Sequence, residues 1–166
     1  MNLKIALKLQ NFLEQSGATV ILTRSDENAI YELDSNTLRE KKVSDIKNRV
    51  KIGNESNADI FVSIHMNKIP QTEYSGFQTF YNIKSSDGKK LAESIQASLN
   101  DVIQKKNNRL AKSIDNIYIA EHVDIPLVIV ECGFLSNQEE LSYLLQDSYQ
   151  DKLAFGIYSG IMKYFN

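Results

Sequence analysis

Two apolar runs in this chain lead to a side chain able to move a proton or hold a metal. Residues 58–65, ADIFVSIH, end on His65, and residues 127–134, LVIVECGF, carry Glu131 behind an apolar stretch. An imidazole at a strand end can act as a general base or bind a divalent metal through one ring nitrogen. An ionised carboxylate in an apolar strand is costly unless it is paired, protonated or turned toward a cavity. If it faces a cavity, it can accept a proton from water and return it to a leaving group. Blander roles stand beside these: a hydrogen-bonded boundary histidine and a structural, salt-bridged glutamate. Cys132 alternates to the other side of its strand from Glu131 and reads as a small core residue. His122, in AEHVDIP, reads as a surface loop histidine. Arg49 and Arg109 read as solvated charges.

The elements that position these residues follow from periodicity. Residues 2–15 place Ile5, Leu9, Phe12 and Leu13 on one helical face, and Gly17 follows where a helix stops. Residues 18–23, ATVILT, read as a buried strand, and 24–37 as a long polar loop of the kind that often carries function. A helix is expected over 38–56, with Val43, Ile46, Val50 and Gly53 on one stripe. Strands are expected at 58–65 and 76–83, and a long helix at 87–105 with Leu91, Ile95, Leu99 and Val102 facing the core. KKNNR at 105–109 is a polar break, and 117–120 reads as a short extended piece. The run at 127–132 is the most hydrophobic strand. Ser136 with Glu139 fits a capping box before a helix, and a last helix covers 148–165.

Helix–strand alternation with continuous apolar strands implies an α/β fold of three layers, αβα, around a mostly parallel sheet. The whole of 1–166 reads as one domain. Open sheets of this kind bind ligands beyond the carboxyl ends of their strands, which brings His65 and Glu131 to one rim. Such a chain is expected to open on a strand, yet this one opens on a helix, so the first strand of the sheet is expected to be missing.

Composition narrows the function. With 19 basic and 21 acidic residues the formal charge is −2, which argues against a broad basic face for nucleic acid. Cys132 is the single cysteine, so an intrachain disulfide and a four-cysteine zinc site are excluded. No apolar run approaches the roughly 20 residues of a membrane span. The first residues interleave Lys4, Lys8 and Gln10 with apolar positions and do not read as a secretory signal.

SIHMN at 63–67 followed by VECGFLSN at 130–137 resembles the zinc-dependent N-acetylmuramoyl-L-alanine amidases of the type-3 class. Further pieces fall in that family's order: GATVILTR at 17–24, KNRVKIGNESNADIFVSIH at 47–65, NNR at 107–109 and IPLVIVECGFLSN at 125–137. Within that class, the spore cortex (CwlD-type) branch is the most similar. The resemblance implies cleavage of the amide between N-acetylmuramic acid and the L-alanine of the peptidoglycan stem, in spore cortex maturation leading to muramic lactam. It also implies an extracytoplasmic place of action, in the cell wall or the forespore intermembrane space.

The resemblance further implies one zinc ion held by two histidines and a glutamate, with another glutamate handling the attacking water. His65 matches the second ligand histidine and Glu131 the catalytic glutamate. The family's first histidine, in a DxGHGG segment, and its ligand glutamate have no match in residues 1–166. The 166-residue chain is therefore expected to bind zinc weakly and to turn over poorly. A non-catalytic, amidase-like domain that binds peptidoglycan or a protein partner is the alternative. The vacancy in the sheet is expected to suit a partner's strand or a swapped second copy.

Overall fold

A computed structural model of the protein describes residues 1–105 and 107–166; Lys106, in the polar break read at 105–109, lies outside the described residues. The elements are α1 (Asn2–Gln15), α2 (Leu38–Glu55), β1 (Phe61–Asn67), β2 (Gln78–Asn82), α3 (Ser86–Ile103), β3 (Lys112–Ile114), α4 (Tyr118–His122), β4 (Leu127–Phe134), α5 (Gln138–Leu144) and α6 (Asp147–Phe165). The four strands are ordered β1-β4-β2-β3. Pairs β1/β4 and β2/β3 are parallel, and β2 runs antiparallel to β4. The most hydrophobic strand of the sequence, β4, thus has a neighbour on each side, and its Leu127, Val128, Ile129 and Val130 are buried. Fold class and layering agree with the sequence.

Alternation along the strands sends side chains into two cores. On one face, Val128, Val130 and Cys132 of β4 meet Leu91, Ile95 and Leu99 of α3 and Leu153, Ile157 and Ile161 of α6, with Ile5 and Leu9 of α1. Close contact between α3 and α6 requires glycine: a Cβ on Gly160 would stand 2.8 Å from the Ile95 backbone nitrogen. On the other face, Leu127 and Ile129 join Ala120 and Val123 in a smaller cluster, with Phe61 and Val50 packed against it. The capping box that starts α2 is formed by Thr37 and Glu40. The apolar stripe expected on α2 is only partly used. Gly53 is its one buried residue, with room for the Phe61 ring, while Val43 is 46% exposed.

Three expectations are corrected. Residues 18–23 form no strand, and Ile21 is 52% exposed. A strand needs a ladder partner, and among the described residues β1 is paired on one edge only, with β4. Residues 118–122 are the short helix α4 rather than an extended piece, and the extended piece lies earlier, at β3. The cap of α5 is Asn137, whose side chain accepts from Glu140 N at 3.0 Å, so the signal read at Ser136 and Glu139 is displaced by one residue.

Candidate active site at the carboxyl edge of β1 and β4

His65 and Glu131 are ladder partners, and Gln78 is the partner of Glu131 on its other side. Neighbouring strands lie about 4.8 Å apart, and residues facing each other in a ladder project to the same face. A single row therefore runs His65, Glu131, Gln78 across three strands, on the face covered by α2 and α4. Just beyond it the register of β1 and β4 slips, since Asn67 pairs with Phe134. β4 holds one extra residue there, and such bulges re-aim side chains beside functional sites.

The two ionisable groups of the row differ in environment. His65 is exposed, and its Nε2 lies 3.0 Å from Ser63 Oγ. Loss of solvent behind the ring, and then the positive charge of Arg49, hold its pKa below the ordinary value. Burial raises the Glu131 carboxyl to about 6. Its Oε2 is buried and has no hydrogen-bond partner among the described residues. An acceptor left in that condition is costly in a purely structural role. It suits a carboxyl that exchanges a proton with something that comes and goes.

Both arginines depart from the solvated reading. Arg49 is largely covered: its Nε donates to Asp45 Oδ2 at 2.6 Å and its Nη1 to Thr23 Oγ1 at 2.8 Å. Asp45 also accepts from Ile30 N at 2.9 Å, so the ion pair ties the irregular segment after α1 onto α2 beside His65. Arg109 lies over the Phe134 ring, 5.0 Å from its centroid, and donates to Ser75 O and to Gln78 Oε1. His122 is not part of the row. It stacks on Tyr118 at 3.9 Å within α4, whose Ala120 O accepts from Asn82 Nδ2 at the end of β2 away from Gln78. Cys132 is buried in the α3–α6 core as expected, and burial pushes its thiol pKa far up.

The family pattern described as N-acetylmuramoyl-L-alanine amidase matches residues 1–163. The chain belongs to this amidase family. It is 37% identical over 165 residues to the germination-specific N-acetylmuramoyl-L-alanine amidase of Bacillus subtilis, covering 99% of this chain and 69% of that protein. Its fold is similar, at a TM-score of 0.95 and 46% identity, to the CwlD amidase of Clostridioides difficile solved in complex with the GerS lipoprotein; the match covers 98% of this chain and 83% of that one. The catalytic domain of CwlV, an N-acetylmuramoyl-L-alanine amidase from Bacillus (Paenibacillus) polymyxa var. colistinus, is also similar, at 28% identity and a TM-score of 0.82, covering 98% of this chain and 82% of that one.

A catalytic zinc takes three protein ligands and leaves one position open. Among the described residues no three His, Cys, Asp or Glu side chains come together to hold a metal ion. One imidazole and one carboxylate do not fit a catalytic zinc by themselves.

Sequence reasoning missed Glu140. This amidase buries its carboxylate, 3% exposed, where it accepts from Phe134 N and Gly76 N at 2.7 Å each. Asn137 Nδ2 donates to Thr72 O at 2.9 Å, so the end of β4 and the start of α5 together hold the 68–77 loop beside the row. The available signal was a glutamate three residues into a short helix directly after the strand. It was masked because Glu139 occupies the neighbouring position.

Proposed function

We propose that residues 1–166 act as one catalytic domain that hydrolyses the amide between N-acetylmuramic acid and the L-alanine of peptidoglycan, in the spore cortex, with Glu131 as the proton-handling residue. The observation that carries this reading is the half-buried Glu131 carboxyl, unpartnered at Oε2 and ladder-paired with His65. With its pKa raised to about 6, Glu131 is poised to take a proton from the attacking water near neutral pH. It then returns that proton to the departing alanine nitrogen. An amide nitrogen leaves poorly as an anion, so the second transfer is the one the reaction cannot do without. His65 is proposed as a ligand of the one zinc ion used by the reaction. Its remaining ligands are not among the described residues. Extracytoplasmic action follows from the wall substrate, and no helix is long and apolar enough to cross a membrane among the described residues.

A protein partner belongs to the same reading. β1 offers an unpaired edge among the described residues, and CwlD of Clostridioides difficile was solved with a lipoprotein bound. Strand addition by a partner or a second copy would satisfy that edge. The second reading, a peptidoglycan- or partner-binding domain without turnover, is favoured by the lack of a three-ligand metal group among the described residues.

The test uses protein expressed from its full coding sequence, supplied with zinc and purified peptidoglycan. Release of new L-alanine amino termini, lost in Glu131→Gln, is the expected result. Peptidoglycan binding with no new amino termini would leave the second reading standing in its place.

A further inference from the structure

Two arginines flank the row, and they differ in what balances their charge. Arg49 is neutralised by Asp45 at 2.6 Å. Arg109 donates only to neutral acceptors, Ser75 O at 2.9 Å and Gln78 Oε1 at 3.1 Å, and forms no ion pair among the described residues. The Phe134 ring covers the guanidinium from one side, its centroid 5.0 Å from the guanidinium carbon. The 68–77 loop, itself fixed by Glu140 and Asn137, presents the Ser75 carbonyl that sets its orientation. Its Nη2 has no partner among the described residues and completes a fork suited to a carboxylate. A half-covered cation held rigidly by neutral groups is a prepared place for an anion.

Its position says which anion. Gln78 is the ladder partner of Glu131, and Arg109 grips the Gln78 amide. Arg109 therefore lies on the side of Glu131 away from His65, about two strand spacings, or about 10 Å, along the row from the imidazole's strand. That span is covered by about three residues of extended peptide. We propose that Arg109 binds a carboxylate on the peptide arm of the substrate, just beyond the amide handled at Glu131. This inference rests on the amidase reading and adds the acidic peptide as the feature recognised. The glycan side of the amide then lies toward His65.

The experiment is a calorimetric titration of the full-coding-sequence protein, supplied with zinc, with two uncleavable probes: N-acetylmuramoyl-L-alanyl-D-glutamate carrying a ketomethylene link in place of the scissile amide, and the neutral diamide of that compound. The acidic probe is expected to bind about tenfold more tightly, as for a charge-assisted hydrogen bond. In Arg109→Gln, checked to melt as the wild type does, that preference should vanish while the neutral probe binds as before. A second measurement needs no variant: the Arg109 Nε–H resonance should shift with the acidic probe and stay in place with the diamide. Equal binding of both probes by the wild type, a preference that survives in Arg109→Gln, or an Arg109 resonance that ignores the acidic probe would each overturn the inference and leave the amidase reading intact. Failure of both probes to bind the wild type would overturn the two together.

Discussion

Glu131 of β4 faces His65 of β1 in the parallel ladder, on the last shared rung before the register slips. Two residues 66 positions apart in sequence thus become side-by-side groups on one face. One is exposed with its pKa held down; the other is half-covered with its pKa pushed up. Both shifts come first from loss of solvent, which favours the neutral form of each group: an imidazole free to bind a metal and a carboxyl able to hold a proton.

The Glu131 carboxyl makes stability depend on pH in a definite direction. Its pKa in the folded state, about 6, exceeds the ordinary 4.5, so folding favours the protonated form. The stabilisation is complete below about pH 4.5 and is lost as pH rises through about 6, a change of at most about 2 kcal/mol. Urea unfolding of wild type and Glu131→Gln at pH 4.5 and 7.5 should show the variant gaining on the wild type at the higher pH. A constant difference between the two proteins would mean the carboxyl is not buried as described.

Metal binding separates the two residues. The 166-residue chain is expected to hold zinc weakly, because the described residues supply no three-ligand group. His65→Ala should lower the residual zinc uptake further, whereas Glu131→Gln should leave it nearly unchanged, the split expected of a ligand and a base. Equilibrium dialysis with a competing chelator measures this. Tight one-to-one zinc in the 166-residue chain would require further ligands beside His65 and overturn this expectation.

The free edge of β1 should be visible in amide exchange. Phe61 N donates to Pro126 O, so by the alternation of a parallel ladder the Ser63 and His65 amides also point to β4, and those of Val62 and Ile64 point outward. Val62 and Ile64 are expected to exchange much faster than Ser63 and His65. Slow exchange at all four would show that something covers this edge in solution, and its dependence on protein concentration would tell a second copy from other occupants.

Glu140→Ala should be costly out of proportion to its size. It leaves the Phe134 and Gly76 amides without their acceptor, each worth about 1–3 kcal/mol when buried and unpaired. Denaturant titration should show a loss of several kcal/mol. Glu140→Gln, which keeps one acceptor oxygen, should recover part of it. Equal losses in the two variants would mean that cavity formation, rather than the two hydrogen bonds, sets the cost.

Much of this protein was legible in its sequence. Helices α1, α3 and α6 follow from apolar spacing because each lays one stripe on a core, and that period is written locally; α2 forms where expected although it buries only Gly53 of its stripe. That β4 is a strand buried on both faces follows from a hydrophobic run with no polar interruption before Glu131, since such a strand cannot carry one cheaply; its place between β1 and β2 is given by the structure. The family resemblance and the choice of His65 and Glu131 came from the same short segments. Other features were decided only by tertiary structure. Whether residues 18–23 form a strand depends on a neighbour to pair with, which no local pattern encodes. Arg49 and Arg109 look alike as charges in a sequence. One becomes an ion pair because Asp45 lies one helical turn away, while the other meets a ring, a carbonyl and an amide and has no ion-pair partner among the described residues. Glu140 was hidden for the same reason: its two amide partners lie 6 and 64 residues away and meet only when the 68–77 loop closes over the end of β4.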